Sequence, residues 1–234
     1  VCEEKPMLKQ LFDIWREDQD PLKEMTEQLK EMLEGGHEMF RSVTDALFLG
    51  GDMAQLKIET YERDHRLNDL EQNIRRQVVV HLSLGHVDDL TPSLILMSVV
   101  KDAERIGDYA KNIFQVARTL APLDKGEYLE DLKKMRNEIV GYFDKIIESF
   151  VNSQVELAED LLKEFYRQEK DIDRKVTALL THQDKENAVA FALLFRFFKR
   201  VISHLGNIAT STVMPIDKLD YFDEDNRNPQ EELV

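Results

Sequence analysis

The chain has 234 residues, 42% hydrophobic and 33% charged, with a formal net charge of −15. That is enough for one large core or two small ones, and too apolar for disorder. The acidic surplus repels nucleic-acid phosphates and anionic membrane surfaces, and the single cysteine, Cys2, excludes an internal disulfide and any Cys/His zinc spacing.

The elements follow in chain order. A short amphipathic lead-in over 1–19 carries Leu8, Leu11, Phe12 and Trp15. Residues 22–48 place Met25, Leu29, Met32, Met39, Val43 and Leu47 on one helical face, with the locally costly Gly35-Gly36 pair as a point to kink. Residues 54–82 repeat the pattern with Leu67, Leu70, Ile74 and Val78. Residues 90–119 hold the clearest seam: Leu96, Val99, Ala103, Ile106, Ala110, Ile113 and Ala117 step by 3 and 4. Thr91 is read as its N-cap, with Pro92 at the first helical position. Three more amphipathic helices follow over 127–152, 154–181 and 184–212. The connections at Gly50-Gly51, 83–90, Leu120–Lys125, Asn152-Ser153 and Gln183-Asp184 are short, which implies antiparallel neighbours. Residues 214–234 read as an acidic tail. No apolar run is long enough to span a membrane. The start at Val1 leaves room for upstream sequence.

The six helices read as two copies of three. Shifted by 95 residues, Lys101–Ala117 falls on Arg196–Thr212, so that Arg105 meets Arg200 and Asn112 meets Asn207. Shifted by 105, Asp64 meets Glu169, Leu67 meets Ile172 and Asn68 meets Asp173. A duplicated unit explains both shifts, with repeats over 20–121 and 122–213. The expected fold is all-α: two tandem three-helix bundles of six long antiparallel helices.

Carboxylates are rare in a helix seam unless paired or metal-bound. Asp64 and Glu71 nevertheless share a stripe with Leu67, Ile74 and Val78, and Asn68 lies beside them. On the next helix Glu104 and Asp108 are four residues apart. If the two helices pack antiparallel, four carboxylates converge, and their repulsion calls for a cation. An oxygen-only set of Asp64, Asn68, Glu71, Glu104 and Asp108 suits Mg²⁺, Ca²⁺, Mn²⁺ or iron. A salt-bridge network through Lys101, Arg105, Arg75 and Arg76 is the competing reading.

The run Asp102–Ile113, DAERIGDYAKNI, resembles the signature helix of the PhoU family of phosphate-uptake regulators. The preceding helix with Asp64, Asn68, Glu71 and Ile74 is similar to that family's second helix, and the likeness extends over roughly residues 20–212. The resemblance implies tandem three-helix bundles, iron or zinc on the acidic motifs of some members, and a non-enzymatic, cytoplasmic role. It further implies regulation through contact with a phosphate transporter or sensor kinase at the membrane, with a homodimer as a further expectation. The second copy departs from the pattern: Lys199 stands for Glu104, Ser203 for Asp108 and Val176 for Glu71. The Lys199 ammonium is expected where a metal would be, paired with Glu169 and Asp173.

Other signals are weaker. Glu34-x-x-His37 and Glu62-x-x-His65 have di-iron spacing but the wrong phase for inward projection. His81, His86 and His182 lie near helix ends and read as solvated or capping, and His204 as a polar residue at a helix contact. Two further functional readings stand beside the PhoU-like one: a regulatory domain of a sodium–phosphate symporter, and a carboxylate-bridged metal protein or metalloenzyme.

Overall fold

The computed structural model describes residues 21–181 and 186–220. The Leu8–Trp15 stretch, Cys2, His182, the Gln183-Asp184 turn and the tail from residue 221 lie outside the described residues. Among the described residues there are six long helices: α1 (Pro21–Leu49), α2 (Met53–Ser83), α3 (Leu90–Leu120), α4 (Leu129–Val151), α5 (Val155–Thr181) and α6 (Ala188–Val213). Short 3₁₀ turns at Val87–Asp89 and Ile216–Lys218 complete the described elements.

Cross-helix partners show the antiparallel register directly. Glu31 of α1 meets Arg66 of α2, and Gln28 meets Asn73. Asp64 of α2 meets Lys111 of α3, and Glu71 meets Lys101. In the second half Tyr142 of α4 meets Glu164 of α5, and Asp131 meets Lys175. Asp173 of α5 meets Lys199 of α6, and Glu169 meets Ser203. In each pair one residue number rises as the other falls.

The apolar seams of all six helices merge into one continuous core. Phe40 of α1 packs edge-on against Phe198 of α6 at 5.2 Å and tilted against Phe143 of α4 at 6.1 Å, so aromatic rings tie the halves together. Arg136 of α4 crosses to Thr44 of α1 at 3.1 Å and also pairs with Asp45. Helices α3 and α6 face each other along the centre of the molecule.

α1 runs as one continuous helix through Gly35-Gly36, where a Cβ would come within 3.1 Å of Leu67 and Ile106 respectively. The pair admits neighbouring side chains close to the helix backbone. The start of α3 differs from the expectation. The helix begins at Leu90, with Asp89 at the N-cap position, so Thr91 and Pro92 already lie inside the first turn. Proline is tolerated there because the first-turn N–H groups have no intrahelical acceptor. At α2 the start is held locally: the Asp52 carboxylate accepts from the backbone N–H groups of Ala54 and Gln55 at 2.9 and 3.0 Å.

Candidate functional site

α2 and α3 bring the sequence-selected carboxylates together in two pairs, each bridged by a lysine. Asp64, 6% exposed, lies 2.8 Å from the Lys111 ammonium, and Asp108 lies 2.9 Å from the same group. Arg105 adds a second contact to Asp108 at 2.9 Å. About one to two turns away along the helices, Lys101 is 2.7 Å from Glu104 and 3.6 Å from Glu71. Glu71 and Glu104 are each 7% exposed. Asn68 is half-buried between the two pairs. The four carboxylates therefore form two lysine-bridged levels along one helix–helix groove. Among the described residues their oxygens do not gather around a single point.

The charges explain why this burial is tolerated. Each ammonium is shared by two carboxylates, and a buried carboxylate without a partner would be costly. Burial pushes the Asp108 carboxyl up, but the Lys111 hydrogen bond and the charges of Lys111 and Arg105 outweigh it and hold the group below the usual range. Burial pulls the Lys111 ammonium down, and its bonds to Asp64 and Asp108 raise it beyond that loss. Glu71 is served less completely. The Arg75 guanidinium lies 2.9 Å from its Oε1, yet no N–H points at that oxygen, which is a buried acceptor without a directed hydrogen bond.

The second repeat holds a reduced version. Lys199 is 2.6 Å from Asp173 and 3.8 Å from Glu169, the placement expected from the sequence. Ser203 Oγ donates to Glu169 at 2.6 Å, and Arg196 reaches Asp173 at 3.3 Å. The site is more open here: the Asp173 side chain is 43% exposed.

Two features escaped the sequence reading. Lys111 is the bridging cation of the first pair, although Lys101 and the arginines were the expected partners. The second feature is Asp102 of α3, buried at the junction of the repeats. Its Oδ1 accepts from Asn207 at 2.8 Å and lies 2.7 Å from Nδ1 of His204, both on α6. His204 is thus a helix-contact residue, as its position suggested, and its ring stacks on Tyr109 at 5.6 Å. The set-aside histidines fall in two groups. His37 stacks on Phe143 at 4.9 Å and burial lowers its pKa, while His65 is exposed. His81, in contrast, is neither solvated nor capping: it is buried and lies 2.7 Å from Asp89.

Comparison with known proteins agrees with this architecture. Residues 29–117 match the PhoU domain family model. A phosphate-specific transport system accessory protein PhoU homolog from Synechocystis sp. is 25% identical over 178 residues, covering 74% of this chain and 79% of the relative. The structure of the phosphate transport system regulatory protein PhoU from Streptococcus pneumoniae superposes with a TM-score of 0.71 at 19% identity, covering 82% of this chain and 92% of that one. PhoU from Pseudomonas aeruginosa gives a TM-score of 0.63 at 19% identity over 88% and 96% of the two chains. These solved structures share the fold over both repeats.

Proposed function

From the premise that the chain is a PhoU-family protein, we propose that it restrains phosphate uptake by protein–protein contact with a phosphate transporter or its sensor kinase at the cytoplasmic face of the membrane. The observation that carries this reading is the match of residues 29–117 to the PhoU domain, which contains the whole lysine-bridged carboxylate groove. A regulatory rather than catalytic role fits the groove's chemistry. Its acids are held by neighbouring cations. No helix among the described residues is long and apolar enough to cross a membrane. Deleting the gene in its host should raise phosphate accumulation in phosphate-replete medium, and re-expression should reverse it. Unchanged uptake in the deletion strain would remove the proposal.

In the same reading the first repeat is the seat for a hard divalent cation or iron. Asp64, Asn68, Glu71, Glu104 and Asp108 supply the oxygen donors such an ion takes, but they lie on two levels of the groove, so binding would have to draw the levels together, with Glu71 Oε1, which has no directed hydrogen bond, as one acceptor. The ion would have to displace the Lys101 and Lys111 ammonium groups, both of which are partly exposed and free to swing outward. When bound it would neutralise the groove and change the charge shown to a partner. Elemental analysis of protein purified without chelators or affinity metals tests this. Metal content that is unchanged in a Glu104→Ala/Asp108→Ala variant would exclude the site.

A further inference from the structure

The α2–α3 corner lies outside the acidic groove, and it gathers a different donor set. His81 is in the last turn of α2, His86 in the connection and Asp89 at the start of α3. One ligand atom from each of the three lies within 4.8 Å of the others. Nε2 of His81 is 2.7 Å from Oδ2 of Asp89, and the His86 ring lies parallel on His81 at 4.3 Å.

Three local features hold this arrangement. Gly85 has φ +95°, a left-handed conformation that turns the chain back so that His86 returns over His81. The connection is tied by its own backbone, with Gly85 N–H donating to Leu82 O, Val87 N–H to Gly85 O and Asp89 N–H to His86 O. Asp89 occupies the N-cap position of α3, yet its side chain makes no capping bond there. An aspartate at that position ordinarily accepts from the first-turn N–H groups. Here it gives up that bond and faces a buried imidazole.

We propose that His81, His86 and Asp89 form a binding site for a zinc-class transition metal ion. Two imidazole nitrogens and one carboxylate oxygen are a borderline-soft set that favours zinc-class ions over Mg²⁺ or Ca²⁺. Ligands about 2.0–2.2 Å from a tetrahedral ion stand roughly 3.4 Å apart. The metal takes the place of the proton between His81 and Asp89, the pair opens by under an ångström, and the exposed His86 ring turns out of its parallel stack to aim a nitrogen at the ion. His81 is the anchored ligand, because it is buried. His86 is exposed, so the ion enters from solvent on its side, and water fills the fourth position. Binding pins the corner that joins α2 to α3. This inference is independent of the regulatory reading and of the carboxylate groove, with which the corner shares no residue.

The test is calorimetric titration of the full chain, free of any affinity tag, with Zn²⁺, and a parallel titration with Co²⁺ followed by visible absorption. The expected result is one zinc equivalent at micromolar or tighter affinity and the intense visible bands of four-coordinate cobalt. His86→Ala, an exposed position where folding is not at stake, should weaken zinc by more than the about 10–100-fold that outer-shell partners contribute. The Glu104→Ala/Asp108→Ala variant should keep both signals. Zinc binding only at millimolar concentration, binding unaffected by His86→Ala, or binding lost with Glu104 and Asp108 instead would each overturn the proposal.

Discussion

The two repeats answer the same electrostatic problem with different residues. In the first, four acids on α2 and α3 face one another, and Lys111 and Lys101 each bridge two of them. In the second, the positions of Glu104 and Asp108 carry Lys199 and Ser203, so the cation comes from inside the motif itself. The residue that corresponds to Lys111 is Gly206, which has no side chain to bridge anything. The first repeat thus sets two ammonium groups between acids of α2 and α3, whereas the second sets one ammonium of α6 against two acids of α5 and needs fewer charges to do it. The first site is buried and rich in charge, which leaves it able to exchange lysine for another cation. The second is a settled ion pair at the surface.

Replacing Lys111 should separate the repeats most sharply. Lys111→Met leaves Asp64 buried beside Asp108 with no shared cation. The expected loss is about 3 kcal/mol, the low end for breaking a buried pair, because Lys111 itself is partly exposed. Urea unfolding at neutral pH measures it. The pH dependence has a defined sign. The Asp108 carboxyl is held below its ordinary value of 3.8, so its contribution is complete above that value and is lost as pH falls through the depressed one. Lys111 is held above its ordinary 10.5, so its share is complete below that value and is lost as pH rises past the raised one. The variant should lose stability less steeply than wild type at both extremes. A variant with an unchanged acid limb would show that the bridge does not set this titration.

A second difference lies in packing. Gly107 of α3 admits Leu67 so closely that a Cβ there would meet Leu67 Cδ1 at 2.6 Å. The matching position of α6 is Ile202, fully buried. Gly107→Ile therefore asks the first repeat to accept the side chain that the second already carries. Overpacking should cost about 2 kcal/mol. A neutral result in thermal unfolding would mean that α2 and α3 can part as easily as α5 and α6.

Much of this contrast was legible in the sequence. The six helices followed from seams that step by 3 and 4, because burial of one face fixes that period whatever the tertiary contacts. Lys199 was legible because an internal repeat exposes a charge reversal at a known position. Lys111 was not, since it lies off the seam and acts through its stem, which carries the ammonium across the groove to Asp64. The Asp102–His204–Asn207 cluster depends on how α3 meets α6, more than a hundred residues apart in sequence, and no local pattern reports that. The start of α3 was misplaced for a related reason. Asp89 would be recognised as a cap if its carboxylate turned to its own helix, but it turns to His81.

Within the second repeat the two replacements should not weigh equally. Ser203 donates to the buried Glu169 at 2.6 Å, and Ser203→Ala removes that bond from a charged acceptor. A loss of about 1.5 kcal/mol is expected, the lower end for hydrogen bonds to charged groups. Lys199→Met should cost less, about 1 kcal/mol or under, although it deletes a full charge. Its closest acid, Asp173, has a 43% exposed side chain, so water and salt already screen the pair, and Arg196 stays within 3.3 Å to replace part of the field. The lysine stem is nearly isosteric with methionine, so packing changes little. Adding salt should shrink the Lys199 effect and leave the Ser203 effect intact, because only the first is long-range charge. If Lys199→Met instead proves as costly as Lys111→Met, the second site is as desolvated as the first, and the contrast between an exchangeable groove and a settled surface pair fails.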